Sequence, residues 1–143
     1  MAPNPLHILL VEDNPGDIYL IVNALHTGSI PKDVQVVEDG EAALSYLRRK
    51  RRFRNARRPD LVVLDLNLPR VDGRQVLAEL KADPELMTIP VVILSTSEAP
   101  SDITTCYERH ANCYLTKPLD LVEYLDLVQA IEDFWLGCAA LPA

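Results

Sequence analysis

Glycine is scarce, five residues in 143, and no Gly-x-Gly occurs. That disfavours a glycine-rich phosphate cradle and with it nucleotide binding. The three cysteines, Cys106, Cys113 and Cys138, form no Cys-x-x-Cys pair. An odd count without that spacing fits reduced thiols in a cytosol rather than a disulfide framework. Cys138-Ala-Ala-Leu imitates a prenylation box, but Pro142 and Ala143 lie beyond it, so the box is not terminal. His7, His26 and His110 are scattered, with no His-x-x-x-His to suggest a metal site. No apolar run is long enough to span a membrane, and the one nearest the start is the short Ile8-Leu9-Leu10-Val11. Met1 to Pro5 carries no basic residue and leads into no secretion signal. A soluble, cytoplasmic protein is the expectation.

Basic residues are also scarce over most of the chain. Net charge is −7, yet eight of the 14 basic residues fall between Arg48 and Arg58 with no acid among them. The remainder holds six basic residues against 21 acidic ones. Such a body repels nucleic acid and anionic membrane surfaces, so neither is expected as a partner. Only the basic stretch could meet a phosphate-rich molecule. It has no recognition helix, zinc knuckle or interleaved aromatics, since Phe53 stands alone. A solvated loop or a protein contact is the better reading.

What is present is a rhythm. The length suits one domain able to bury about 70% of its unfolded surface. His7–Val11, Val34–Val37, Leu61–Leu64, Val91–Leu94 and Cys113–Thr116 read as short buried strands. Helices are predicted between them, from Asn14-Pro15 to Gly28, from Gly40 to about Arg49, from Asp72 or Gly73 to Asp83, and from Ser101 to His110. A last helix runs from the cap Asp120 to about Leu136. Strand–helix alternation implies a parallel sheet covered on both faces. With right-handed crossovers, five such units fit an α/β, doubly wound, flavodoxin-like (βα)5 sheet of order 2-1-3-4-5.

In such sheets ligands sit beyond the carboxyl ends of the strands. Glu12 and Asp13 follow the first strand, Asp65 and Asn67 the third, Ser95 and Thr96 the fourth, and Thr116 and Lys117 the fifth. Singly, each has a plain structural explanation as a capping or solvated residue. Together they bring three carboxylates, a hydroxyl and one ammonium to one patch. Carboxylates that close repel unless cations compensate. One lysine among three acids leaves room for a divalent ion, and hard oxygen donors suit Mg²⁺. A carboxylate on the central strand, Asp65, can attack phosphorus to form an aspartyl-phosphate, with Lys117 and Ser95 stabilising the phosphoryl oxygens.

The motifs Val11-Glu12-Asp13-Asn14, Asp65-Leu66-Asn67-Leu68-Pro69, Asp72-Gly73, Ser95 and Lys117-Pro118 resemble those of response-regulator receiver domains of the CheY-like kind. The resemblance implies a single receiver domain over 1–143, with its core at 6–136, a short tail at 137–143 and no output domain. It implies Asp65 as phosphoacceptor; Asp13, Asp65 and the Asn67 carbonyl as Mg²⁺ ligands, with Glu12 acting through water; and Lys117 beside the phosphoryl group. It further implies Ser95 and Tyr114 as the switch pair and a cis peptide at Pro118. Two departures stand out: Ser95 replaces the commoner threonine, and Thr96 is larger than the usual small residue, which should hinder water.

The stretch Arg58–Pro69, the insertion before it, and Gln129–Leu136 resemble more closely the small response regulators that partner cyanobacterial phytochrome histidine kinases. That group implies a phytochrome-type sensor histidine kinase as phosphodonor and a homodimer through the face of helix four, strand five and helix five. The last helix agrees: Leu121, Tyr124, Leu125, Leu127, Val128, Ile131, Phe134, Trp135 and Leu136 fill an arc of roughly 200°, about twice what one buried face needs. Tyr124, Phe134 and Trp135 are assigned to the dimer face. Three rivals remain: a receiver-like interaction module that is never phosphorylated, a nucleic-acid binder, and a phosphatase of the haloacid-dehalogenase type. The last uses Asp-x-Asp, whereas Asn67 stands at the second position and cannot act as general acid.

Overall fold

The computed structural model describes residues 5–142. Strands β1 (Leu6–Val11), β2 (Lys32–Val37), β3 (Leu61–Leu64), β4 (Val91–Ser95) and β5 (Cys113–Thr116) alternate with helices α1 (Pro15–His26), α2 (Gly40–Leu47), α3 (Gly73–Ala82), α4 (Pro100–Glu108) and α5 (Leu121–Ile131). All strand pairs are parallel, in the order β2-β1-β3-β4-β5. The expected topology is therefore the observed one.

Alternation along the strands builds two cores. Leu9, Val11, Val62, Leu64 and Ile93 point to the side covered by α2, α3 and α4. Ile8, Leu10, Leu61, Val63, Val92 and Leu94 point to the side covered by α1 and α5. Every residue of β3 is buried, as a central strand between two helical layers requires. Helix starts are set by short polar side chains. Asn14, Asp39, Asp72 and Asp120 each accept a backbone N–H of the first turn, from Asp17, Ala42, Arg74 and Glu123. Helix α4 has no such cap and begins on Pro100.

Two departures from expectation concern the last helix. Its α-helical hydrogen bonding ends at Ile131, and Glu132–Cys138 continues as a wider π-helical turn. The widening falls where Glu132 turns inward to a buried ion pair with Lys32 on β2. Lys32 Nζ also donates to the Leu25 carbonyl at 2.7 Å. The second departure is Tyr124, which does not belong to an outer face. It is 5% exposed and packs in the same core cluster as Ile21, Leu25, Val128 and Ile131. Spacings of four and three residues to Val128 and Ile131 put it on the inner stripe. Trp135 is half-buried against that cluster. Phe134, set edge-on to it at 5.2 Å, is 56% exposed, as are Leu121, Val122 and Leu125 on the outer side of α5 to differing degrees.

Both side chains of the Lys32–Glu132 pair are 3% exposed. Removing one leaves an uncompensated buried charge. Glu132→Ala is expected to cost about 3–5 kcal/mol in urea denaturation, whereas Lys32→Met with Glu132→Leu is expected to cost far less. Equal losses in the two variants would show that volume rather than charge matters there.

Candidate phosphoryl-acceptor site

Register alone aligns the acids. Val11 pairs with Leu64, so Glu12 and Asp65 leave neighbouring strands side by side. The Asp65 N–H donates to the Val11 carbonyl at 3.0 Å and the Glu12 N–H to that of Val37 at 3.1 Å. On the other flank Ser95 pairs with Thr116, and the Lys117 N–H donates to the Ser95 carbonyl at 2.8 Å. Behind the loop after β3 lies Gly73, whose N–H bonds the Leu66 carbonyl at 2.8 Å. A Cβ there would stand 2.1 Å from the Asp65 carbonyl oxygen, so only glycine lets α3 press against the loop.

The Lys117 ammonium is the hub. It donates to Glu12 Oε2 at 2.7 Å, Asp17 Oδ2 at 2.9 Å and Asp65 Oδ2 at 3.2 Å. Carboxylate oxygens of Glu12, Asp13 and Asp65 lie within 4.8 Å of one another. Glu12 is deeply buried, Asp65 is buried and Asp13 is exposed at the mouth. Burial opposes charge on Lys117, but hydrogen bonds to Glu12 and Asp17 and the field of Glu12 and Asp65 outweigh it and raise its pKa. Glu12 fares worse, because it is the most enclosed of the three acids. Desolvation, only partly offset by the Lys117 hydrogen bond and reinforced by Asp65, pushes it up to about 7. A cluster with this surplus of negative charge and oxygen-only donors fits a divalent cation.

The expected residues thus fall into a meeting group and a marginal one. Glu12, Asp13, Asp65 and Lys117 meet. Asn67 lies two residues past Asp65 on the exposed lip of the same loop. Ser95 is fully buried at the end of β4. Its Oγ accepts from the Ser97 N–H at 3.2 Å, and no acceptor for its own proton is found among the described residues. Tyr114 lies on β5, its hydroxyl donating to the Ser97 carbonyl at 2.8 Å. The Lys117–Pro118 peptide is not cis, because no described peptide bond is. The β5 register and the Lys117 N–H bond to Ser95 already bring the ammonium to the acids, and the trans form is intrinsically lower in energy by about 0.5–1 kcal/mol.

Sequence reasoning missed two features. Asp17 joins the Lys117 hub from the first turn of α1. Its place three residues after the cap Asn14 reads only as a helix-start acid. Arg74 on α3 bridges Asp72 at 3.1 Å and Asp102 of α4 at 2.9 Å, and Asp102 accepts from the Ser97 hydroxyl at 2.6 Å. Hydrogen bonds from Arg74, then Ser97, lower the Asp102 pKa. This chain ties the β4–α4 loop to α3, and no local motif announces it.

A parallel sheet of order 2-1-3-4-5 with this acid–lysine pocket defines the response-regulator class. Residues 8–129 match the family described as the response regulator receiver domain, and the chain belongs to that family. Response regulator Rcp1 of Synechocystis sp. is 47% identical over 139 residues, covering 97% of this chain and 95% of Rcp1. The crystal structure of its Mn²⁺-bound form covers 97% of this chain and all of that one, with a TM-score of 0.95. The phosphorylated cyanobacterial phytochrome response regulator RcpA is 51% identical, covers 97% of this chain and 99% of its own, and also gives 0.95. Among the described residues no helix is long and apolar enough to cross a membrane.

The raised Glu12 pKa has a defined consequence for stability. A carboxyl whose pKa is higher folded than unfolded makes the native state bind more protons between about 4.5 and 7. Stability is therefore lost as pH rises through that window. In EDTA, Glu12→Gln should gain on the wild type by on the order of 1–3 kcal/mol between acid and mildly alkaline pH, read by urea denaturation. Parallel pH profiles for the two proteins would contradict the assignment.

Proposed function

We propose that this receiver domain accepts a phosphoryl group on Asp65 from a sensor histidine kinase, of the phytochrome type, and signals by a change in its protein-contact face. The single observation that carries the proposal is the Lys117 ammonium 3.2 Å from a buried Asp65 carboxylate within the acid cluster. The family membership and the likeness to Rcp1 and RcpA support the donor class.

Asp13, Asp65, the Asn67 carbonyl and, through water, Glu12 would hold Mg²⁺. When bound, that ion would offset negative charge on the phosphoryl oxygens. An Asp65 Oδ forms the new P–O bond as the donor's P–N bond breaks, and the electron pair leaves with the imidazole nitrogen. Lys117 faces the transferred group and balances its charge. The phosphoryl adds about −1.5 to −2 charges, and the Ser95 hydroxyl is placed to donate to it. Drawing Ser95 inward pulls on the Ser97 amide it accepts from. Ser97 is also where Tyr114 and Asp102 attach, so α4 and β5 sense the event. The protein is a switch that assists its own phosphorylation and hydrolysis, not an enzyme for an external substrate.

Incubation with acetyl phosphate and Mg²⁺ tests the assignment by intact mass. One phosphoryl is expected on the wild type and none on Asp65→Asn; labelling of both would move the acceptor elsewhere. In the same assay Thr96→Ala should lose the phosphoryl faster, because Thr96 stands exposed beside Ser95 and narrows the path of water. An unchanged rate removes that role.

The face of α4, β5 and α5 is proposed to pair two copies, with Phe134 and Trp135 as anchors beside Leu121, Val122 and Leu125. The exposure of Leu121, Val122, Leu125 and Phe134 supports it. Sedimentation velocity should show a dimer that Phe134→Glu dissociates; a monomeric wild type, phosphorylated or not, refutes the pairing.

A further inference from the structure

The basic stretch between α2 and β3 is left unused by the phosphoryl chemistry. Its chain makes a 3-10 turn at Arg51–Phe53 and folds back along α2. Three of its cations are matched by carboxylates: Arg48 by Glu79 at 2.9 Å, Arg57 by Asp60 at 3.4 Å and Arg58 by Glu85 at 4.0 Å. Arg49, Lys50, Arg51, Arg52 and Arg54 are exposed. Among the described residues none of these five has a carboxylate within 4.0 Å.

Backbone conformation adds a second, independent sign. Arg49 and Arg51 have φ of 54° and 57°, and Arg70, in the loop that follows Asp65, has φ of 67°. These are left-handed conformations that glycine takes without steric cost and side chains with a Cβ resist. At Arg49 the conformation closes α2, the Lys50 N–H donating to the Ser45 carbonyl at 2.9 Å, as His110 with φ of 69° does after α4; Arg51 and Arg70 close no helix, and strain of this kind clusters at ligand clamps and switch regions. Arg51, Arg52 and Arg70 converge on a cleft of about 390 Å³ against α2, with Asp39, Glu41 and Ser45 on its wall. Arg70 holds Asp39 and Glu41 only at 3.7 and 3.5 Å, so an incoming carboxylate can exchange for them.

We propose that this ridge, formed by Arg51, Arg52 and Arg70, docks an acidic segment of a partner protein. Nucleic acid fits less well. Phe53 packs edge-on to Tyr46 at 5.1 Å and carries the Arg52 guanidinium 4.6 Å above its ring, so a base has no free face to stack on. A duplex reaching past the ridge meets a surface with a large excess of acids. A second copy of the chain offers acids too, but they are scattered, no more than two being adjacent in the sequence. The ridge lies apart from the exposed apolar side of α5, so both faces can be occupied together.

The probe is a fluorescein-labelled peptide of alternating glutamate and serine, read by anisotropy at low salt with the full chain. Wild type should bind it, salt should weaken it, and Arg51→Gly with Arg70→Gly should weaken it about tenfold. Because glycine relieves both left-handed positions, the melting temperature of that variant should hold or rise, and its Asp65 labelling by acetyl phosphate should not change. Equal binding by variant and wild type overturns the proposal. So does tighter binding of a DNA duplex than of the peptide, or salt-sensitive self-association that the variant loses. Failure of Asp65 labelling in the wild type would refute the phosphoryl-acceptor reading and leave this one standing.

Discussion

One ammonium shared among three carboxylates governs this molecule. Lys117 arrives from β5, Glu12 from β1, Asp65 from β3 and Asp17 from α1. Four elements therefore owe part of their relative placement to a single charge. Such a hub is stable only if the acids can share it, and here they share it unequally. Glu12, the most enclosed, pays in desolvation and rises toward neutrality, while Lys117 is held charged. The imbalance is the functional property. A site that is short of positive charge at rest is prepared for a cation and for the compensated transfer of a phosphoryl group.

Around that hub the fold is arranged so that a small displacement has somewhere to go. Ser95 lies at the end of a fully buried strand, and the next turn, at Ser97, is tied to Tyr114 on β5 and to Asp102 on α4. Arg74 carries the connection on to α3. These are charge-assisted or directional bonds between elements that are otherwise separately packed, so they can break and reform without disturbing the two apolar layers. At the opposite side of α1, the buried Lys32–Glu132 pair fixes where the π-helical turn leaves the body. It thereby sets the direction in which Phe134 faces solvent.

Much of this is legible in the amino-acid order itself. Short apolar runs and period-3.6 patterning mark out five strands and five helices. The residues after Val11, Leu64, Leu94 and Thr116 are informative because a parallel sheet gathers its strand ends on one edge. The misjudged residues have particular causes. Tyr124 belongs to a helix apolar over more than half its circumference, where periodicity cannot say which part of a wide arc is covered by the chain's own core. Pro118 follows a lysine whose placement the sheet register accomplishes with a trans peptide. Asp17 and the Arg74–Asp102 link join positions 100 and 28 residues apart, and nothing in either segment marks the other.

The order of residues along the chain thus determined the elements, their caps, the parallel topology and which carboxylate ends the central strand, because these follow from local periodicity and from which side chains stand at strand ends. Three-dimensional packing alone decided how one lysine divides its charge, which apolar side chains of the last helix remain in water, and how the arginines beyond α2 line up with Arg70. Those outcomes depend on distances between segments remote in sequence and on the burial that screens or exposes each charge, and neither quantity exists until the layers close.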